Sequence, residues 1–267
     1  MKLENSTFVV SGGSSGLGFA TVEDLLNSPS SVHIIILDLQ PPPSLPSGTE
    51  NRVKFIETDV SSLPAIQASV SASISHAQSL SPPSPIRGII NCAGVGVAAK
   101  MVDKNGEAHD AEIWDFAIKV NLSGTFHLTR LFVEHMVKHV EPLEEEDGER
   151  GVVIMVASAA AFEGQPGQTA YAATKGALRS MTLPMARDLG RHAIRVVSIA
   201  PGIFESAMSR AMNDKTRKSL IGGGVVYPNR FGKGEEFAQT VRWAIECAYV
   251  NGETVRLSGA GRLPGKL

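Results

Sequence analysis

Short apolar runs alternate with helical stretches along almost the whole of this 267-residue chain. The run 32–37, VHIIIL, is uninterrupted and is closed by Asp38. Continuous apolar runs of this length suit strands that are buried on both faces of a parallel sheet. The alternation with helical segments is the pattern of repeated βαβ units. The sequence therefore predicts a single α/β domain, residues 1–267, with a doubly wound parallel sheet of about seven strands and helices on both faces.

The element boundaries follow from apolar periodicity and from glycine and proline breaks. Predicted strands lie at 6–11, 32–37, 53–56, 86–91, 152–157, 194–199 and 254–257. Predicted helices lie at about 17–26, 62–79, 110–139, 170–189 and 235–249. The segment 206–226 breaks this rhythm, because it is long and basic and contains three successive glycines. We interpret it as a lid over a substrate.

Charge and cysteine content exclude several classes of function. A formal net charge of −2 gives no basis for binding nucleic acid or a membrane surface. Cys92 and Cys247 lie far apart and lack metal-ligand spacing, so we expect free thiols in a reducing intracellular compartment and no metal site. The longest apolar runs, such as 34–37 and 152–157, are strand-sized, so no membrane insertion is expected.

The two termini bear on localisation. The N-terminal residues MKLENSTFVVSGG enter a strand almost at once, which leaves no room for a cleaved signal. The C-terminal residues Gly265-Lys266-Leu267 resemble the peroxisomal address Ser-Lys-Leu, with glycine in place of serine. An ordinary polar tail is the alternative interpretation. We therefore expect a location in the cytoplasm or the peroxisome.

A glycine-rich loop, SGGSSGLG at 11–18, connects the first strand to the first helix. Glycines at such a point let the backbone approach a pyrophosphate, and the helix N-terminus supplies N–H donors. The candidate nucleotide-binding residues of this loop are Ser11, Gly12, Ser15, Gly16, Leu17 and Gly18. Asp38 ends the second strand, where a carboxylate can bind an adenosine ribose and repel a 2′-phosphate. With no Arg or Lys in the loop or just after Asp38, NAD is favoured over NADP, whereas a plain turn role is the alternative for Asp38.

Two further strand ends supply candidate cofactor contacts. Asp59 and Val60 follow the third strand and are placed to reach the adenine, although a turn or helix-cap role for Asp59 is nearly as well supported. The fourth strand ends in NCAG, which adds Asn91, Ala93 and Gly94 as candidates. Small side chains there would allow a nucleotide to approach closely, and a tight turn would need them as well.

The segment 170–175, AYAATK, places a phenol and an ammonium one helical turn apart and on the same face. A free phenol has a pKa near 10, and nearby positive charge favours its phenolate form. Tyr171 could then exchange a proton with an alcohol or a ketone. Ser158, at the end of the fifth strand, is positioned to hydrogen-bond the reacting oxygen. Each feature taken alone is commonly structural, but their joint placement indicates an active site.

In the order and spacing of these motifs the chain resembles the short-chain dehydrogenase/reductase family over its whole length. The matching residues are the glycine loop, NCAG, Ser158, YAATK and Pro201-Gly202. The resemblance implies a Rossmann fold and a catalytic tetrad of Asn121, Ser158, Tyr171 and Lys175. It implies that Lys175 also holds the nicotinamide ribose and that Asn121 helps to hold a proton-relay water. It further implies cofactor contacts from Pro201, Gly202, Ile203 and Phe204.

A narrower resemblance, to type-2 3-hydroxyacyl-CoA dehydrogenases, is carried by the segments 161–168, 181–189, 200–204 and 251–257. It implies NAD-dependent oxidation of short 3-hydroxyacyl-CoA thioesters, a homotetramer and, by analogy, a possible mitochondrial location. It also implies that Gln165 lies near the substrate. Glu205-Ser206 stands where that group has Gly-Thr, so the cofactor and the chemistry carry over better than the identity of the substrate.

Candidate substrate contacts are Gln165 and two apolar residues near the lid, Phe204 and Met208. The latter two suit an acyl pocket, and core packing is an equal alternative for them. Two other hypotheses remain open for the function. The same chemistry would serve a steroid or a biosynthetic alcohol/ketone pair, or the chain would be a nucleotide-binding regulator without catalysis. The intact Ser158, Tyr171 and Lys175 argue against the regulator.

Overall fold

A computed structural model describes residues 1, 3–28, 31–144, 147–205, 221–222 and 224–262. These residues form a seven-stranded parallel sheet in the order β3-β2-β1-β4-β5-β6-β7. The strands are β1 Thr7–Ser11, β2 His33–Asp38, β3 Val53–Glu57, β4 Ile86–Asn91, β5 Gly151–Val156, β6 Ile194–Pro201 and β7 Thr254–Leu257. The helices that flank this sheet are α1 Gly16–Leu26, α2 Leu63–Ser79, α3 Ala111–Ala117, α4 Thr125–His139, α5 Thr169–Gly190 and α6 Gly234–Glu246. The predicted α/β class and strand number are confirmed.

The strand order reverses direction beside β1, which pairs with β2 on one side and β4 on the other. In open α/β sheets the crevice at such a point, outside the carboxyl ends of the strands, is where ligands bind. The glycine-rich loop and the residues after β4 both leave the sheet at this point. The topology therefore brings them to one edge of the molecule.

Two apolar layers cover the sheet, one on each face. In β1, Phe8 and Val10 belong to the layer under α1 and α6, whereas Val9 belongs to the layer under α2, α4 and α5. This alternation follows from the two-residue period of side chains along a strand. The largest rings of each layer, including Phe237 and Phe132, are completely buried. The packing of these two layers sets the distance between the helices and the sheet. It therefore also sets the position of the helix ends that form the walls of the crevice.

Residues 110–139, predicted as one helix, form α3, a π-helical segment Ile118–Gly124 and α4. The wider turn coincides with two tertiary contacts that periodicity does not reveal. Asn121 bonds the backbone of Val95. Gly124 packs so closely that a Cβ there would lie 2.5 Å from the carbonyl oxygen of Val60. Single π turns inside helices are frequent at functional sites.

A buried guanidinium joins β6 to the end of α6. Arg195 donates to the Glu149 carboxylate over 2.7 Å, and both side chains are less than one-tenth exposed. Its other nitrogens donate over 2.7 to 3.1 Å to the carbonyl oxygens of Ala244, Ile245, Cys247 and Val250. These carbonyls lie at or beyond the helix C-terminus, where intrahelical donors run out. The helix ends at Glu246 rather than at the predicted 249.

Some predictions lie outside the described residues. Met208, most of the proposed lid 206–226 and the C-terminal 265–267 belong to this group. The described end of the lid is tied down, because the amides of Val226 and Tyr227 both donate to the carbonyl oxygen of Gly259. Within the described part of the chain, no helix is both long and apolar enough to span a membrane.

Candidate active site

A cleft of about 780 Å³ lies along the carboxyl edge of the sheet. Eighteen of the residues that the sequence analysis selected line it: Gly12, Ser15, Gly16, Leu17, Gly18, Asp38, Asp59, Val60, Ala93, Gly94, Ser158, Gln165, Tyr171, Lys175, Pro201, Gly202, Ile203 and Phe204. Three others, Ser11, Asn91 and Asn121, stand behind the walls. The predicted nucleotide and proton-transfer residues therefore share one cavity.

The glycine loop is packed too tightly for side chains at two of its positions. A Cβ on Gly18 would lie 2.1 Å from the carbonyl oxygen of Gly12. One on Gly12, whose φ is +67°, would lie 2.6 Å from the amide nitrogen of Ala93. The Ser11 hydroxyl accepts a hydrogen bond from that same amide over 3.3 Å. These contacts hold the start of α1 against the end of β4, on the floor of the cleft.

The N-terminus of α1 fits an anionic group. Ser15 is its N-cap residue, but its side chain caps no backbone N–H, and the first turn contains no acidic residue. The first amides of a helix lack intrahelical acceptors and carry partial positive charge. Because Ser15, Gly16 and Leu17 line the cleft, these amides are available to phosphate oxygens there.

Asp38 is fixed at the cleft by two backbone amides. One carboxylate oxygen accepts from the Ser14 N–H over 2.9 Å, and the other from the Leu39 N–H over 2.7 Å. Each oxygen keeps a further lone pair with which to accept from a hydroxyl group. A fixed negative charge at this position is compatible with a ribose diol and repels a phosphate.

Asp59 forms a turn as well as lining the cleft. One of its carboxylate oxygens accepts from both the amide and the hydroxyl of Ser61, over 2.8 and 2.7 Å. Ser62, rather than Asp59, caps α2. The turn role predicted for Asp59 is therefore observed, whereas its contact with adenine stays a prediction.

Asn91 is a cofactor candidate whose side chain the structure places away from the cleft. Its amide nitrogen donates to the Thr129 hydroxyl over 3.1 Å, and the residue is buried. The reason is the alternation of a strand, which directs this side chain toward α4 while Ala93 and Gly94, beyond the strand end, reach the cleft.

Ser158, Tyr171 and Lys175 meet at the centre of the cleft. The phenol of Tyr171 faces the side chain of Ser158, and this interaction lowers the pKa of the phenol. The Ser158 hydroxyl also accepts from the Ala160 amide over 3.1 Å, which fixes its rotamer. The Lys175 ammonium lies 5.9 Å from the centroid of the Tyr171 ring and donates to the carbonyl oxygen of Val156 over 2.8 Å. Lys175 is therefore anchored to β5, and Ser158 to the 3-10 turn that follows β5.

The electrostatics of the site differ from the expectation that cations alone set the acidity of the phenol. Burial raises the pKa of Tyr171, and the interaction with the Ser158 side chain lowers it by less. Burial also lowers the pKa of Lys175 to about 8, so its ammonium is largely charged at neutral pH. Cys92 lies near Lys175, but burial raises the pKa of its thiol to about 12, so it stays a neutral thiol. The phenol is therefore a proton donor at rest.

Asn121 acts as a clamp behind the cleft wall. Its side-chain oxygen accepts from the Val95 amide over 2.8 Å, and its nitrogen donates to the Val95 carbonyl over 3.0 Å. The same nitrogen donates over 3.2 Å to the hydroxyl of Thr174, which in turn donates to the Tyr171 carbonyl over 2.8 Å. Asn121 and Thr174 are completely buried. The clamp thus connects the turn after β4 to the helix that carries Tyr171 and Lys175.

Several cleft residues were not selected from the sequence. These are Leu37, Leu39, Thr58, Ser61, Cys92, Val95, Gly96, Val97, Ala98, Phe116, Val120, Val156, Ala157, Ala159, Ala160 and Gln168. Segment 95–98 directly follows NCAG, so the rule that ligands bind at strand ends would have found it. Phe116, from α3, reaches the cleft only through tertiary packing that no local pattern reveals.

Phe204 serves both as cleft lining and as packing. Its ring meets that of Phe237 edge to face at a centroid distance of 6.3 Å. A Cβ on Gly232 would lie 2.6 Å from the same ring. With Ile203 it separates the cleft from a second cavity of about 190 Å³. The packing role weighed from sequence is therefore present, and the acyl pocket stays a prediction.

Comparisons with known proteins agree with this geometry. The family model described as short chain dehydrogenase matches residues 6–217. The chain is 38% identical over 261 residues to 3-hydroxyacyl-CoA dehydrogenase type-2 of Bos taurus, covering 96% of this chain and 94% of that protein. It is 37% identical over 262 residues to the protein of that name from Drosophila melanogaster, covering 98% and 99%.

The fold also matches a solved structure. The crystal structure of 3-hydroxyacyl-CoA dehydrogenase type-2 from Mycobacterium avium superposes with a TM-score of 0.86 at 33% identity. The match covers 98% of this chain and 97% of that one. The shared architecture at this level of identity and coverage agrees with the family match. The chain belongs to the short-chain dehydrogenase/reductase family of nicotinamide-nucleotide-dependent oxidoreductases and is homologous to 3-hydroxyacyl-CoA dehydrogenase type-2.

Proposed function

We propose that the protein is an NAD-dependent dehydrogenase that interconverts 3-hydroxyacyl-CoA and 3-oxoacyl-CoA thioesters. The observation that carries the proposal is that the Tyr171 phenol faces Ser158 and is backed by the buried Lys175, inside the cleft that begins at the glycine loop. The similarity to type-2 3-hydroxyacyl-CoA dehydrogenases over almost the whole chain supports the substrate class.

Tyr171 is the proposed proton carrier. In ketone reduction its neutral phenol donates a proton to the substrate oxygen, and in alcohol oxidation its phenolate takes that proton back. A bound nicotinamide supplies or accepts the hydride. The raised pKa of Tyr171 keeps the phenol protonated at neutral pH, which suits the donor role in reduction.

Ser158 and Lys175 prepare this proton transfer. The Ser158 hydroxyl, held by the Ala160 amide, is placed to donate to the same substrate oxygen, where negative charge develops. The Lys175 ammonium stabilises the phenolate by charge, and its position in the cleft lining supports a second role in binding ribose hydroxyls. Its bond to the Val156 carbonyl limits its motion, so its charge stays directed at the reacting group.

Asp38 supports NAD as the cofactor, and its replacement gives a prediction. Asp38→Asn removes the charge and keeps the shape, so the preference in kcat/KM for NADH over NADPH should fall about 10- to 100-fold, because charge-assisted ribose bonds weaken and phosphate repulsion disappears. Initial rates with each nucleotide measure this ratio. The matched control is Asp59→Asn, whose carboxylate is engaged with Ser61 and should leave the ratio unchanged. An Asp38→Asn enzyme that keeps the parental ratio would argue against NAD selection by this carboxylate.

Thr174 gives a prediction about the clamp. Thr174→Val keeps the volume and removes the hydroxyl that links Asn121 to α5. We expect kcat to fall about tenfold with little change in KM, because the loss of about one hydrogen bond misplaces Tyr171 rather than weakening substrate binding. Thr174→Ser retains the hydroxyl and should restore most of the rate. Equal losses in the Val and Ser variants would show that packing, not the hydroxyl, matters.

A substrate panel tests the proposed function. Initial rates are measured with NADH on acetoacetyl-CoA, on a steroid ketone and on a simple methyl ketone. The proposal predicts that acetoacetyl-CoA has the highest kcat/KM. If the steroid ketone is clearly preferred, the chemistry stands and the proposed substrate class is wrong. NADH binding without turnover of any carbonyl compound would instead favour a regulator.

A further inference from the structure

The turn 165–168 presents two amide side chains to the cleft directly before α5. Both Gln165 and Gln168 line the cleft. The backbone closes the turn through a bond of 3.0 Å from the Gln168 amide to the Gln165 carbonyl. Its far side is held by Ala99, whose amide donates to the Gly167 carbonyl over 2.8 Å. The turn is therefore anchored on two sides, and its side chains start from fixed positions.

The side-chain amide of Gln168 has a defined orientation. Its oxygen accepts from the backbone N–H of Gln165 over 2.9 Å. With the oxygen committed to the turn, the NH₂ group lies on the opposite side of the planar amide. That NH₂ group donates to no residue in the described part of the chain. It is an oriented hydrogen-bond donor at the wall of the cleft.

Gln165 supplies a second uncommitted donor beside the first. Its side-chain nitrogen is shielded from solvent and has no hydrogen-bond partner among the described residues. A buried amide without a partner is costly, and most such groups in native proteins acquire one. An acceptor oxygen on a bound ligand would satisfy this group.

The two donors share the cleft with the reacting group. Gln168 occupies the N-cap position of α5, Tyr171 follows three residues later, and both line the cleft together with Gln165 and Ser158. A substrate whose reacting oxygen lies at Tyr171 and Ser158 can therefore extend along the cleft toward Gln168. A 3-oxo thioester carries a second carbonyl one methylene away from the first, whereas a simple ketone carries none.

We infer that Gln168 determines specificity by donating a hydrogen bond from its side-chain NH₂ group to the second carbonyl of a 3-oxo thioester, next to the donor of Gln165. The inference rests on the proposed function and narrows it to substrates with an acceptor oxygen beyond the reacting ketone. A site built to donate to an oxygen discriminates strongly against analogues that lack it, because its donors are then left unpaired. Gln168 thus selects the substrate, whereas Tyr171 and Ser158 act on it.

Two variants distinguish the NH₂ donor of Gln168 from the contact that its side-chain oxygen makes within the turn. Gln168→Glu keeps an oxygen that accepts from the Gln165 amide and removes the NH₂ donor. Gln168→Met removes both. Each is assayed with NADH on acetoacetyl-CoA and on a simple methyl ketone, and the quantity compared is the ratio of the two kcat/KM values. NADH affinity is measured separately by fluorescence titration. The matched control is Gln67→Glu, an exposed glutamine on α2.

We expect both Gln168 variants to lower the thioester-to-ketone ratio about tenfold, which corresponds to the loss of one hydrogen bond to substrate. NADH affinity and the control should not change. A Glu variant with the parental ratio, or a loss that is equal on both substrates, would overturn the inference and leave only a structural role for the turn. Failure of the proposed function would give a different result from failure of this inference. In that case the parent enzyme itself would not prefer acetoacetyl-CoA to the methyl ketone.

Discussion

Replacing Tyr171 with Phe should lower kcat by a factor of about 10²–10⁴, the range supplied by general acid–base catalysis. The substitution removes one oxygen atom, the atom that faces Ser158, and keeps the ring beside Lys175. NADH affinity should stay within about twofold of the parent, because the glycine loop and Asp38 are untouched. Single-turnover rates and NADH fluorescence titration measure the two quantities.

The control for this substitution is Tyr249→Phe, because that side chain is fully exposed at the end of α6. Its kinetics should equal those of the parent. If Tyr171→Phe retained a kcat within about threefold of the parent, the proton would come from another group and the proposed mechanism would be wrong.

The pH dependence follows from the same two residues. Because burial raises the pKa of Tyr171, oxidation of the alcohol, which requires the phenolate, should speed up as the pH rises. Reduction requires the protonated phenol, so its rate should be level at neutral pH. It should fall above about pH 8, where Lys175 loses its charge. Tyr171→Phe should abolish the alkaline rise in oxidation.

Arg195→Met should lower the free energy of unfolding by about 3–5 kcal/mol. The variant keeps much of the side-chain volume but leaves Glu149 without its guanidinium partner. It also removes the donor from the four carbonyl groups at and beyond the end of α6. Denaturant unfolding at a fixed protein concentration, with and without NADH, measures the loss. Since Arg195 does not line the cleft and lies at the opposite end of β6 from Pro201, the folded fraction should keep the parental kcat.

The matched control is Arg191→Met, an exposed arginine just before the same strand. Surface substitutions of this kind usually change stability by no more than about 0.5 kcal/mol. A loss below about 1 kcal/mol for Arg195→Met would mean that water replaces the guanidinium at these carbonyls and that the cluster contributes little to the fold.

The strands of the sheet could be predicted from two features of the sequence. These are the apolar composition of each run and the polar residue that ends it. Run 32–37 is apolar throughout, and Asp38 follows it, so both its burial and its length could be inferred. The π turn around Asn121 could not be inferred from the sequence. It exists through bonds to Val95 and through the packing of Gly124 on Val60, which join segments far apart in the chain.

The same distinction holds in the site. Tyr171 and Lys175 are one turn apart, so a local rule places them together, and the resemblance supplied Asn121. Its position at a strand end predicts a cofactor contact for Asn91, but the pleat directs its side chain to Thr129. The sequence does not indicate a role for Gln168, because a glutamine before a helix has no distinctive pattern. Only the bond to the Gln165 amide shows that its NH₂ group is left for the cleft.

Isotope transfer tests the central claim most directly. Acetoacetyl-CoA is reduced with NADH that carries deuterium at the transferable position of the nicotinamide, and the thioester product is analysed by mass spectrometry. We predict one deuterium at C3 of the product with the parent enzyme and a strongly reduced yield with Tyr171→Phe. An unlabelled product, or a product formed equally well by the Tyr171→Phe enzyme, would contradict hydride transfer assisted by the phenol of Tyr171.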